Sequence, residues 1–455
     1  MQDIFEKIHG KINAEYLEFR FHRKLYTVLV ITKEHFEIKS YGDFSGVGVR
    51  VLKNGAWGFA STSSFRYEKI MECAERALKI AEVSSQIKKK SIELSGGNLA
   101  TGYFKTPGYE DILNTGIEDK ADFIKEINKD ILSSGADSTK VFYREALEER
   151  IIWTSDGANA KINLSKPEIT TIAYVKKDGE IVDNLFGVGI NGSWKSLIKK
   201  FPENFGEDFA KETKKIANAE HPPGGMANVI LEPSVVGLLA HEAIGHTVEG
   251  DMVLTGCATT GKLGKRVASE LITLVDSGDE GEAAGTIYVD DEGVIAGKTV
   301  VIDKGILKSY LLDRERAKVF GVESTGNARA YEYSDIPLIR MRNTYIERGE
   351  WKKDEIIEDT RYGFLLSGAR GGQADSNAEF MFGISKVYEI KNGSIEKLYR
   401  GTTLTGNAFE VLSNVDAVSR EFEFAMGYGQ CGKWQPAKVD GGGPYLRTIA
   451  LLGGM

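Results

Sequence analysis

Residues 221–248 read HPPGGMANVILEPSVVGLLAHEAIGHTV, and the rest of the chain is organised around this stretch. His221-Pro222-Pro223-Gly224-Gly225 is a break, because proline lacks an amide hydrogen and glycine has no Cβ to restrain the backbone. The run Asn228-Val229-Ile230-Leu231 that follows suits a buried strand, and a helix is predicted from about 233 to 248. On that helix lie His241 and His246, two of only six histidines, with Glu242 directly after the first. Neutral imidazoles are common metal ligands, and a carboxylate beside them can take a proton from bound water. The spacing is unusual. Zinc-protease helices separate their histidines by four positions, about 40° around the axis. Five positions give about 140° in a regular α-helix, which points the rings apart. A π-type turn of about 4.4 residues brings them back to within roughly 50°. The expectation is a helix that departs from α geometry between His241 and His246, with Gly245 permitting the distortion.

Toward the N-terminus, residues 16–62 alternate apolar and polar in short runs separated by glycine turns, which reads as an antiparallel meander. The period then changes. Ile70, Cys73, Ala74, Ala77, Leu78 and Ala81 fall on one helical face, making Cys73 a core thiol. A second helix is expected at 118–133, then further strands, then a polar helix near 206–218. Beyond the break the chain is strand-rich and glycine-rich, with one more helix expected at 408–418. The fold class is α+β. Residues 1–220 form an N-terminal α+β domain with the meander, and residues 221–455 a mostly β C-terminal domain carrying the metal-binding helix.

Composition narrows the function. With 51 glycines against 9 prolines in 455 residues, the chain favours tight turns and hairpins over disordered linkers. A formal net charge of −8 argues against nucleic acid as a partner, since phosphate binding needs a clustered basic surface. Cys73, Cys257 and Cys431 show neither paired nor Cys-x-x-Cys spacing, so reduced thiols are expected. No apolar run reaches the roughly 18 residues a membrane span needs. A cytoplasmic protein is the expectation, with no membrane association.

A catalytic zinc site has three protein ligands and one open position, so a third ligand is needed. His9, His22 and His35 belong to the first helix and the meander, and His221 to the break. Cys431, in Met426-Gly427-Tyr428-Gly429-Gln430-Cys431-Gly432-Lys433, is the candidate: glycine backbone lets its sulfur reach out, and Lys433 favours the thiolate. An ordinary semi-buried thiol is the competing reading of Cys431. A cysteine nucleophile activated by His241 would need a third orienting group, and none is evident. Two imidazoles and a thiolate favour zinc, Glu242 is placed as general base, and Glu249 or Asp251 could orient a ligand imidazole. Gly256–Leu263 has the spacing of a phosphate loop, but Leu263 stands where a magnesium-binding hydroxyl is required.

These residues carry a resemblance. Gly46-Val47-Gly48-Val49-Arg50, His241-Glu242-x-x-x-His246 with Glu249-Gly250-Asp251, Thr325-Gly326-Asn327-Ala328-Arg329, Asn407-Ala408-Phe409, Cys431-Gly432-Lys433 and Gly441-Gly442-Gly443-Pro444-Tyr445-Leu446-Arg447 occur in that order. The chain resembles the TldD/PmbA metalloprotease family, and specifically its TldD branch, from end to end. The resemblance implies that His241, His246 and Cys431 hold Zn2+ and that Glu242 is the catalytic base. It implies a metallopeptidase acting on unfolded or short peptides, in a homodimer or a heterodimer with a PmbA-like paralogue. Arg329 or Arg447 could meet a substrate carboxylate, against the plainer reading of structural ion pairs. The alternative function is a non-catalytic partner or scaffold subunit with a structural metal site.

Overall fold

In the computed structural model, which describes residues 1–453, the runs between 16 and 62 fuse into three long strands rather than a series of short ones. These are Tyr16–Thr32, His35–Lys53 and Ala56–Thr62. Gly42, which reads as part of a turn in the sequence, and Gly46, which reads as the start of a run, both lie inside the middle strand. They are there for space: a Cβ would lie 2.0 Å from the Tyr26 ring at Gly42 and 2.4 Å from the Tyr333 ring at Gly46. The actual turns are at Lys33 and at Asn54-Gly55, where φ is positive, as tight hairpins require.

Strands Ser138–Thr154 and Asn159–Lys177 extend this sheet, and Thr101–Lys105 and Glu180–Gly189 both pair with Asn159–Lys177. Helix Tyr67–Ile87 covers one end and buries Ile70, Cys73, Ala74, Ala77 and Ala81, as its periodicity predicts. It sits directly on strand backbone, because a Cβ on Gly58 would lie 1.9 Å from Ala77 O. Helices Ile117–Ser133 and Phe205–Asn218 cover the other end. The second of these, which reads as polar, buries a stripe of Phe205, Phe209, Ala210, Thr213 and Ile216. Its apolar face is narrow but continuous at helical spacing.

The second sheet has ten strands. Strand Gly225–Leu231 pairs on one side with Tyr362–Ala374 and on the other with Asp440–Leu452. Asp440–Leu452 also meets Ser394–Asn407, which pairs through Glu379–Lys391 back to Tyr362–Ala374. Five strands therefore close into a ring, and the helix after Gly225–Leu231 shares their apolar core. The helix expected at 408–418 ends early, as Ala408–Ser413. Residues Ala417–Phe424 form a strand instead, because AVSREFEF alternates with period two and pairs with Asp440–Leu452. Among the described residues no helix is long and apolar enough to cross a membrane.

The two sheets meet through buried charge. Arg50 reaches Glu292 at 2.6 Å and Arg150 reaches Asp291 at 3.0 Å, both pairs buried, while buried Arg314 reaches the exposed Asp156 at 2.5 Å. Ions taken out of water are tolerated only when so paired, and the pairing fixes how one sheet sits on the other.

Candidate metal centre

The segment that carries both histidines begins as an ordinary helix. Pro233 occupies the first helical position, where a missing amide hydrogen costs nothing. The helix lies against the glycine run of the last strand: a Cβ on Gly237 would lie 2.6 Å from the carbonyl carbon of Gly441. From Leu239 to Gly245 the backbone is a π-helix, followed by a 3-10 turn at His246–Val248. The wider turn brings the His241 and His246 rings to a centroid distance of 5.3 Å. The departure expected from the five-residue spacing is present. Gly245 plays a different part from the expected one, however. Its φ of −54° and ψ of −48° are ordinary helical values, open to any residue. Space requires the glycine, since a Cβ there would lie 2.0 Å from the sulfur of buried Met341.

Cys431 arrives on a short hairpin of Gln430–Lys433 and Gln435–Lys438, turned by Trp434 at a φ of +62°. Two cations, buried Arg340 and half-buried Lys433, hold this hairpin. Arg340 donates from Nη2 to Cys431 O at 2.7 Å and from Nη1 to Gln435 O at 2.5 Å. Lys433 donates to Glu249 Oε2 at 3.0 Å and to Asp251 Oδ1 at 2.8 Å. Lys433 is thus committed to two carboxylates and does not serve the thiolate directly, a correction to the sequence expectation. The imidazoles do that work, with Cys431 Sγ 3.4 Å from His246 Nε2.

One nitrogen from each histidine and the sulfur of Cys431 all lie within 4.8 Å of one another. Glu242 borders the same space, its Oε2 3.8 Å from His246 Nε2 and its side chain 26% exposed. On the far side of the His246 ring, Nδ1 meets Glu249 Oε2 at 3.1 Å, the carboxylate–imidazole contact that fixes a ring's tautomer and direction. His241 is 1% exposed, and its Nδ1 has no hydrogen-bond partner among the described residues. Two imidazoles, one of them buried with a nitrogen lacking a partner, and a thiolate form a donor set suited to a soft divalent metal.

Electrostatics support the same arrangement. Burial alone would raise the Cys431 thiol, but hydrogen bonds from His241 and His246 outweigh it and bring its pKa down to about 4. Burial would lower His246, yet Cys431 and Glu249 push it up to about 10. Glu249 is disfavoured by burial and still held below the usual carboxylate range by His246 and then Lys433. Without metal, therefore, Cys431 and His246 form a thiolate–imidazolium pair.

Other motif residues build the frame. Asn327 donates to Asp276 at 2.9 Å and to Arg340 O at 2.9 Å, and Arg342 Nε donates to Asp276 at 2.7 Å. Asn407 caps helix Ala408–Ser413 by accepting from Phe409 N at 3.1 Å. Arg447 is paired with Asp359 and Asp416, each at 2.8 Å, whereas Arg329 donates only to the carbonyls of Met341 and Lys438. Arg340 was not singled out in the sequence. Its signal is weak: two arginines alternate with Ile339 and Met341 in a short connection between strands Leu338–Ile339 and Asn343–Ile346.

The PmbA/TldA metallopeptidase C-terminal domain family matches residues 224–450, and PmbA/TldA metallopeptidase domain 1 matches residues 17–81. A metalloprotease of Methanocaldococcus jannaschii is 33% identical, covering 98% of this chain and 99% of that one. A zinc metalloprotease TldD homologue of Saccharolobus solfataricus is 27% identical over 97% of both. Among solved structures, TldE from Thermococcus kodakarensis has the same fold, with a TM-score of 0.79 at 20% identity over 99% of both chains.

Proposed function

The chain belongs to the PmbA/TldD metallopeptidase family, and on that premise we propose that it is a zinc-dependent peptidase acting on unfolded or short peptides. The observation that carries this reading is the convergence of His241, His246 and Cys431 within 4.8 Å on a π-helical turn. In the proposal these three residues hold the ion and Glu242 is the general base. Zinc bound there would supply Lewis acidity toward a peptide carbonyl and toward water. A thiolate in place of a third imidazole lowers the positive charge at the centre, so the reaction leans more on a well-placed base. Glu242 can take a proton from water and return it to the departing amine, because its carboxylate borders the ligand cluster and stays open to solvent. Glu249 keeps His246 oriented while this happens. An extended peptide can be held by main-chain hydrogen bonds along a strand edge, which gives affinity with little sequence preference.

The proposed assembly is a dimer, either with a second copy or with a PmbA-like paralogue; the likeness to TldE supports the second partner. Residues 1–220 and 221–455 are proposed as its two domains. The decisive test compares Glu242→Gln and Cys431→Ser with wild type by metal analysis and peptide cleavage. Glu242→Gln should retain zinc while cleavage falls about 10²–10⁴-fold. Cys431→Ser should lose stoichiometric zinc. Full cleavage by the first variant, or full zinc in the second, contradicts the assignment. Bound zinc with no turnover by wild type, even with a PmbA-like partner added, would indicate a scaffold subunit instead.

A further inference from the structure

Between the first sheet and the segment containing Arg329 and Arg340 lies a cavity of about 450 Å3, within the range of small-ligand sites. It is distinct from the metal centre, since none of His241, Glu242, His246 and Cys431 lines it. The two are nevertheless joined. Gln430 lines the cavity, and Arg340, also in its wall, holds the carbonyl of Cys431.

The wall carries positive charge that the protein does not neutralise. Lys166, Arg329 and Arg340 are 6%, 8% and 1% exposed, and none has a carboxylate within ion-pair distance among the described residues. Lys166 donates to the carbonyls of Ala284 and Thr286, and Arg329 to those of Met341 and Lys438. Arg340 Nε has no partner among the described residues. Lys24 stands over the Tyr331 ring at 3.5 Å, again without a carboxylate. The acids in the wall are largely spent elsewhere: Glu148 on Arg150, Glu168 on Arg144 and Lys438, Glu145 on Lys120. Among the described residues Glu332 is the one lining acid without an ion pair, against Lys24, Arg329 and Arg340, which also lack one, and Lys166, whose pKa burial holds well below its ordinary value. In a chain of net charge −8, this local excess is the reverse of the overall balance. Burial, then Arg340 and Arg150, brings Arg329 down to a pKa of about 10, against the weaker opposing pull of Asp291 and Glu148.

We propose that this cavity receives a carboxylate of the peptide substrate, either its C-terminal carboxyl group or an acidic side chain, held by Arg329, Arg340, Lys166 and Lys24. Guanidinium forks match carboxylate geometry and form charge-assisted hydrogen bonds with it. The position beside the Cys431 hairpin would anchor one part of a peptide while another part lies at the metal centre. This inference rests on the peptidase reading for the identity of the ligand, though not for the presence of an anion site.

The test is a binding titration on zinc-loaded Glu242→Gln protein, using three fluorescent peptides of otherwise equal sequence. One has a free C-terminus and no acidic residue, one is amidated with no acidic residue, and one is amidated with an internal glutamate. At least one carboxylate peptide should bind 10-fold or more tightly than the peptide with none, and which one does so identifies the source. In Arg329→Gln and in Lys24→Met, checked for native folding by circular dichroism, that preference should shrink to below twofold. If wild-type-like protein binds all three within twofold, or binds none measurably, the anion site is refuted while the peptidase reading stands. If wild type cleaves none of the three while the binding preference persists, the peptidase reading fails and the anion site survives.

Discussion

Replacing Gly245 by alanine should damage the metal centre through packing, and the size of the effect follows from the contacts. The new Cβ would lie 2.0 Å from Met341 Sδ and 3.1 Å from its Cε. Ordinary contact needs about 3.5–4.0 Å, so something must move by roughly 1.5–2 Å. Met341 is 0% exposed and cannot swing into solvent. Its chain neighbours are also clamped, Arg340 to the Cys431 hairpin and Arg342 to Asp276. Alanine favours helix over glycine by about 1 kcal/mol, but overpacking a rigid core costs about 1–3 kcal/mol, so the clash should win. The strain falls one residue before His246, and zinc affinity should drop along with stability. Chemical denaturation of the metal-free protein measures the first, and competition with a chelating dye the second. A double-mutant cycle with Met341→Ala isolates the cause. Met341→Ala alone should cost about 2–5 kcal/mol, yet the double variant should be more stable than the sum of the two single losses. Wild-type stability and zinc affinity in Gly245→Ala, or strict additivity in the cycle, would refute the argument.

Three further outcomes are expected. Glu249→Gln removes the carboxylate behind His246, and zinc affinity should fall about 10–100-fold in the same dye competition; an unchanged value would deny Glu249 its orienting role. In metal-free protein, the rate of Cys431 alkylation should hold steady with falling pH until about 4, since the thiol is depressed that far; a midpoint near 8.5 would contradict this. The stability linked to this depressed thiol is complete above its unfolded pKa of about 8.5 and lost as pH falls through about 4, while that linked to His246 is complete below about 6.5 and lost as pH rises through about 10. Arg50→Ala strands Glu292, buried at 2.6 Å from the guanidinium, and leaves Glu18 to Arg20 and Tyr16; it should cost about 3–5 kcal/mol by denaturation, and a loss below about 1 kcal/mol would show that the junction does not depend on the Arg50–Glu292 pair.

The π-turn could be read in the sequence because a five-residue histidine spacing fits few backbones, and the metal-ligating residue types left few candidates. Gly245 was legible as necessary but not for the right reason, since the sulfur it avoids belongs to Met341, nearly a hundred positions away. The middle strand of the first sheet was broken in reading at Gly42, because the same residue that permits a turn also permits a ring to lie against flat backbone. At 408–418 a helical start was extended past Ser413, although the residues from 417 alternate with period two and belong to a strand. The cationic cavity was invisible in principle. Arg329 stood out in the sequence only as a single residue that could meet a substrate carboxylate, and Lys24, Lys166 and Arg340 look like any surface basic residues until the fold gathers them where the nearby acids are engaged elsewhere.

The ring of five strands also has a consequence for timing. Gly225–Leu231 completes its hydrogen bonding only when Asp440–Leu452 is available, and His246 lies 185 positions before Cys431. A ribosome releasing this polypeptide exposes both histidines long before the thiol. Until the hairpin emerges, the nascent chain has two ring nitrogens and no third donor, and the ring cannot shut around their helix. Such distant pairings fold slowly, because loop-closure entropy is lost before the contacts form. If the chain cuts unfolded peptides, the delay has a use: the polypeptide most at risk is its own unfinished self, and hydrolytic capacity would arrive only after that self has folded.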